Sequence, residues 1–140
     1  MQMARWLGHV AQFSLFLALT GLLLPAEETG RRRISLEEAR RLVYILVKEH
    51  NRNAEVSRIK DPYDTAFYYF EVIVSNPVAS PVIGHYAVNP WNADVWNPAS
   101  CELVTLPSIT RLQERLRKKL RLTEKDYMMF RTKKPQCFGN

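Results

Sequence analysis

The chain is poor in cysteine: in 140 residues only Cys101 and Cys137 carry a thiol, and they lie far apart. Neither falls in a Cys-x-x-Cys spacing, which excludes the paired-cysteine metal and redox motifs. Histidine is equally scarce. His50 and His85 with Asp94 could be grouped as metal ligands, but no pair among them has helical or hairpin ligand spacing, so no metal is expected. No catalytic or cofactor motif, internal repeat or low-complexity run is present, and no cofactor is predicted. Cys101, His85 and Asp94 do offer the residue types of a thiol nucleophile, a base and an orienting carboxylate. In an exported protein, however, Cys101 is oxidised and no thiolate remains to attack. A non-enzymatic protein is the reading that these absences favour.

What is present describes one domain. Apolar residues make up 46% and charged residues 24%, enough for a core of ordinary size and too apolar for global disorder. The net charge of +6 is unevenly spread. Residues 111–121 hold six basic side chains against the single Glu114, and Arg31, Arg32 and Arg33 form a second cluster. Arg111, Arg115, Lys118 and Lys119 are therefore candidates for contact with cell-wall polymer or anionic lipid, against the plain reading of a solvated helix face. Nucleic acid is not expected, because no aromatic or base-reading residues alternate with the basic ones.

The N-terminus bears on the compartment. Residues 7–24 are apolar apart from His9 and Gln12, follow Arg5, and precede Pro25, Ala26, Glu27 and Glu28. A basic start, a leucine-rich middle and a helix breaker describe a secretory signal. Ala26 suits a cleavage site, whereas Leu24 is larger than the peptidase prefers, and the absence of a cysteine there excludes lipoprotein attachment. The alternative is an anchor in which residues 7–24 just span a bilayer. Arg31, Arg32 and Arg33 would resist translocation, yet the leader favours a periplasmic or secreted protein. The expected organisation is signal peptide or anchor at 1–26, linker at 27–34 and a single domain at 35–140. In an oxidising compartment Cys101 and Cys137 are expected to join as a disulfide that tethers the C-terminal tail to the end of the sheet.

Local patterns supply the elements. Ser35 with Glu38 three residues later forms a capping box, and Leu36, Ala39, Leu42, Val43, Leu46 and Val47 recur at helical spacing. Residues 55–60 alternate as an edge strand. Residues 65–74, dense in aromatic and branched side chains, read as a central strand with Tyr68, Phe70 and Val72 on one face and Phe67, Tyr69 and Glu71 on the other. Residues 75–81 contain two prolines and form a loop. Residues 82–96 read as strand, turn, strand, with the reversal at 90–94; 97–100 break the return strand, which 101–104 resume. A second helix starts at Leu106 or Pro107, and Thr123 caps a short third helical turn. The predicted fold is α+β: an N-terminal helix packed on a curved antiparallel sheet of about four strands, followed by a C-terminal helix.

The helix beginning at Ser35, the aromatic strand through Phe67 and the hairpin from Tyr86 to Trp96 together resemble the cystatin-like superfold, and the hairpin resembles small secreted PepSY-type domains. Asn92 and Ala93 stand where those domains carry Thr-Gly. The pair Pro90 and Trp91 is similar to the late hairpin that cystatins wedge into protease clefts, although their Gln-x-Val-x-Gly loop is absent and about 40 residues follow the hairpin here. The resemblance speaks to fold.

The functional expectation is an exported, non-enzymatic binding protein, an immunity or inhibitor protein that occludes an unidentified partner protein. Pro90, Trp91, Asn92, Asp94 and Trp96 are the expected partner-binding residues, with Trp91 presented on an exposed turn. The alternative is an envelope accessory protein that associates transiently with membrane or cell wall through Arg111, Arg115, Lys118 and Lys119.

Overall fold

The computed structural model describes residues 31–60, 62, 64–75 and 82–138. The leader, the first part of the linker and most of the proline-containing loop at 75–81 lie outside these residues.

Helix α1, Leu36–Lys48, starts at the capping box: the Ser35 hydroxyl accepts the Glu38 N–H at 3.1 Å, and the Glu38 carboxylate accepts the Ser35 N–H at 2.9 Å. Its apolar stripe, Ala39, Leu42, Val43, Leu46 and Val47, is buried. Five strands follow in sequence and in space: β1 Ala54–Arg58, β2 Tyr68–Val74, β3 Val82–Val88, β4 Val95–Asn97 and β5 Glu102–Leu103, all antiparallel in the order 1-2-3-4-5. Helices α2, Pro107–Leu120, and α3, Glu124–Arg131, complete the chain.

The fold is α+β, with one more strand than expected. Residues 101–104 do not resume β4. The Asn97 side chain accepts the Ala99 N–H at 2.9 Å, Cys101 takes a left-handed φ of 59°, and the chain reverses. β5 then pairs with β4, Trp96 opposite Leu103. β2 starts three residues later than its composition suggests. There Asp64 accepts the Ala66 N–H at 2.8 Å, a local turn that competes with the ladder.

β2 has two apolar faces, as its alternation predicts. Phe70 and Val72 meet α1, Ile109, Leu116 and Leu120 in the main core. Phe67 and Tyr69, on the other face, form a smaller layer with Ala87 and Trp96. Both α1 and α2 thus cover one side of the sheet. Ile34 is buried in the main core, so packing begins before the helix. Among the described residues, no helix is long and apolar enough to cross a membrane.

Candidate partner-binding surface

The turn between β3 and β4 is built from polar residues that face inward. Asn89 donates its backbone N–H to Asp94 O at 2.8 Å and accepts the Ala93 N–H at 2.9 Å, while its side chain accepts the Trp91 N–H at 3.0 Å. Ala93 closes the loop with φ 61°. The Asn92 side chain bridges the Asp94 N–H at 2.9 Å and the Asp94 carboxylate at 2.8 Å.

Three distant segments then bond to this turn. Gln113 and Arg117 of α2 donate to Ala93 O and Asn92 O at 3.0 and 2.9 Å. Asn89 donates from its side chain to Phe130 O of α3 at 3.2 Å, and Ile34 donates its N–H to Pro90 O at 2.9 Å. The Arg117 guanidinium closes an ion pair with Asp94 at 2.7 Å and lies over the Tyr127 ring. Burial pushes the Asp94 carboxyl above its usual range, and Arg117, Arg131 and Asn92 offset only part of that.

These bonds change what the hairpin can present. Pro90, Asn92, Asp94 and Trp96 are buried, so the hairpin is no projecting wedge. The physical reason is that the side chains of Asn89, Asn92 and Asp94 and the carbonyls of Pro90, Asn92 and Ala93 are taken up by internal donors. Trp91 alone of the five keeps an accessible face, and it is half-buried.

Trp91 stacks on Phe130, with ring centroids 5.9 Å apart and planes 11° from parallel. The Arg33 guanidinium lies 4.8 Å from the Trp91 centroid, Lys133 Nζ lies 5.3 Å from Trp91 and 5.7 Å from Phe130, and Arg31 lies 5.3 Å from Phe130. All three cations are exposed, and among the described residues none of them has a carboxylate within ion-pair distance. Arg32, Arg131 and Lys134 add exposed positive charge nearby in sequence. The result is a half-buried tryptophan backed by the buried Phe130 ring and rimmed by cations, able to meet an acidic surface with both apolar contact and charge. Trp91 and the basic runs stand out in the sequence, whereas Phe130, Arg31, Arg33 and Lys133 become companions of Trp91 only through the fold.

On α2, Arg111, Arg115 and Lys118 are exposed. Lys119 instead pairs with Glu38 at 2.6 Å, across to the first turn of α1. Burial alone would raise the Glu38 carboxyl, but Lys119 and Ser35 outweigh it and hold the group below its usual range.

Cys101 and Cys137 form a disulfide, with Cα atoms 5.4 Å apart. The thiol, base and carboxylate offered by the sequence are not assembled: Cys101 is oxidised, His85 packs against Phe138, and Asp94 is held by Arg117. His50 lines a different feature, an apolar recess of about 300 Å³ between the end of α1 and the sheet, with Leu46, Val72, Tyr86 and Leu106.

No family model and no curated protein sequence matches the chain. Among solved structures, a chain in the structure of a type VI secretion system effector-immunity complex from Pseudomonas protegens is similar in fold. The TM-score is 0.55 at 17% identity, and the match covers 71% of this chain and 87% of that one.

Proposed function

We propose that this chain is a non-enzymatic binding protein of the immunity or inhibitor kind, which engages an acidic surface of a partner protein through the Trp91–Phe130 face. The observation that carries this reading is Trp91 stacked on Phe130 with an exposed rim of Arg31, Arg33 and Lys133, none of them in an ion pair among the described residues. Tryptophan and arginine are the residue types that dominate binding energy when they meet a partner. The likeness in fold to a chain from an effector-immunity complex supports a protein partner. The disulfide supports an oxidising compartment, the periplasm or the exterior.

Binding is by face-to-face docking, with the internal bonds of the turn holding Trp91 at a fixed angle. Little conformational freedom is then lost on association. The test is to capture partners with the wild-type protein, identify a retained protein, and measure its affinity by calorimetry. Trp91→Ala should weaken binding by about 30-fold or more, and Arg33→Glu should slow association at low salt. Unchanged affinity in Trp91→Ala removes this face from the mechanism.

A second reading rests on the exposure of Arg111, Arg115 and Lys118: association with anionic lipid or cell-wall polymer along α2. It predicts binding to anionic vesicles that collapses with added salt and is lost in Arg111→Glu/Arg115→Glu, with Trp91→Ala behaving as wild type.

A further inference from the structure

A second recess, of about 210 Å³, lies on the sheet face opposite the two helices, beneath the C-terminal tail. Ile59, Asp64, Tyr69, His85, Gln136 and Phe138 line it. The tail runs from Lys133, beside Trp91, to Phe138, beside His85. Three links hold its far end: the Cys101–Cys137 disulfide, the Phe138 N–H to Pro98 O at 2.8 Å, and the Gln136 N–H to the Tyr69 hydroxyl oxygen at 2.9 Å.

The lining combines aromatic rings with negative charge. Phe138 meets His85 edge-on at 5.7 Å and tilts against Tyr69 at 6.5 Å. Asp64 accepts the Ala66 N–H at 2.8 Å through one oxygen and the Tyr69 O–H through the other, the latter at a long 3.4 Å. Among the described residues no cation pairs with this carboxylate. Glu71 stands opposite His85 in the β2–β3 register, which puts a second carboxylate on the same sheet face. Burial holds the Tyr69 hydroxyl proton on, with the pKa raised to about 12, so Tyr69 stays a neutral donor.

We propose that this recess binds an organic cation, a primary ammonium or guanidinium on a short alkyl stem such as a lysine or arginine side chain offers, beside the packed rings of Tyr69 and Phe138 and against the carboxylate of Asp64. The ring faces attract a cation through their quadrupoles, and the carboxylate supplies the charged acceptor. An anion is repelled by Asp64 and Glu71. A bare metal ion finds too few oxygen donors, because among the described residues Asp64 is the one carboxylate that lines the recess. The site is separate from the Trp91 face, and its occupancy does not depend on that reading.

The disulfide assembles the site, since the tail supplies Phe138 and Gln136. Reduction by two equivalents of a thiol yields two protein thiols and the oxidised reductant, and frees the tail end.

The test is titration of the oxidised full chain with n-butylammonium, with n-butanol as a neutral control of equal length, followed by NMR at the rings of Tyr69, His85 and Phe138. The expected result is saturable binding with Kd on the order of 1–10 mM, in keeping with so small a ligand, and no comparable binding of n-butanol. Asp64→Asn, whose amide oxygen still accepts the Ala66 N–H, should weaken it about tenfold. Phe138→Leu, which keeps apolar cover but removes the ring, should weaken it several-fold. A thiol reductant should abolish it. A capped Gly-Lys-Gly peptide that binds more tightly than n-butylammonium would identify a peptide side chain as the guest, and equal binding a free amine. Equal affinity for n-butanol, or unchanged n-butylammonium binding in both Asp64→Asn and Phe138→Leu, overturns the proposal.

Discussion

Replacing Arg117 by methionine isolates the energetics of the turn. Methionine keeps an unbranched stem along Tyr127 and deletes the guanidinium that bonds Asp94 at 2.7 Å and Asn92 O at 2.9 Å. The Asp94 side chain is 2% exposed and that of Arg117 24%, so the substitution leaves a buried carboxylate facing an apolar stem. Removing one partner of a fully buried pair costs about 3–5 kcal/mol. Water can enter from the Arg117 side, which lowers the expectation to about 2–4 kcal/mol.

The pH dependence has a definite sign. Burial already holds the Asp94 carboxyl above 3.8, its value in the unfolded chain. A raised folded value means that the folded state holds the proton more tightly. That contribution is fully present below the unfolded value and is lost as pH rises through the folded one. Deleting Arg117 raises the folded value further, so the variant should regain stability on mild acidification from pH 7, over a range where the wild type changes less. Urea denaturation at two pH values, combined with the double variant Arg117→Met/Asp94→Asn, decides it. The double variant should be more stable than Arg117→Met alone, because no charge is left stranded. A cost below about 1 kcal/mol for the single variant, or strictly additive effects in the cycle, would refute the reasoning.

Three further outcomes follow from the same geometry. Ser35→Ala removes one half of the α1 capping box and should lower stability by about 1 kcal/mol, read from the denaturant midpoint. Cys137→Ser opens a loop with a sequence separation of 36 residues and should cost about 3–4 kcal/mol on the chain-entropy account, with the native sheet retained by circular dichroism. Tyr69 should contribute stability below pH 10 that is lost as pH rises through about 12; an alkaline denaturation series shows this, and Tyr69→Phe should flatten the curve.

Much of the fold could be read from local pattern because local physics determines those parts. The Ser35–Glu38 box, the apolar period of α1, Pro107 at the start of α2 and the two-faced alternation of β2 each rest on interactions within a few residues. The strand at 102–103 reads from sequence as a resumption of the return strand and not as a strand of its own, because two residues carry no period. Its existence depends on a turn set by the Asn97 side chain and the left-handed Cys101. The candidate site was legible only in pieces. Trp91 and the basic runs stand out in the sequence, but the stack on Phe130 spans 39 positions and depends on where α3 lands. Asn92 and Asp94 have the residue types of an exposed turn, and nothing near them in sequence announces that Gln113 and Arg117 will bury them.

The way the β3–β4 turn is held has a consequence for how this protein can vary. Hairpin tips are ordinarily the places where a chain accepts extra residues or is cut and rejoined. Here an insertion between Asn89 and Asp94 would displace acceptors that Ile34, Gln113 and Arg117 reach from distant parts of the chain. Relatives that share this architecture should therefore keep the length of this tip constant and place their gains and losses of sequence elsewhere.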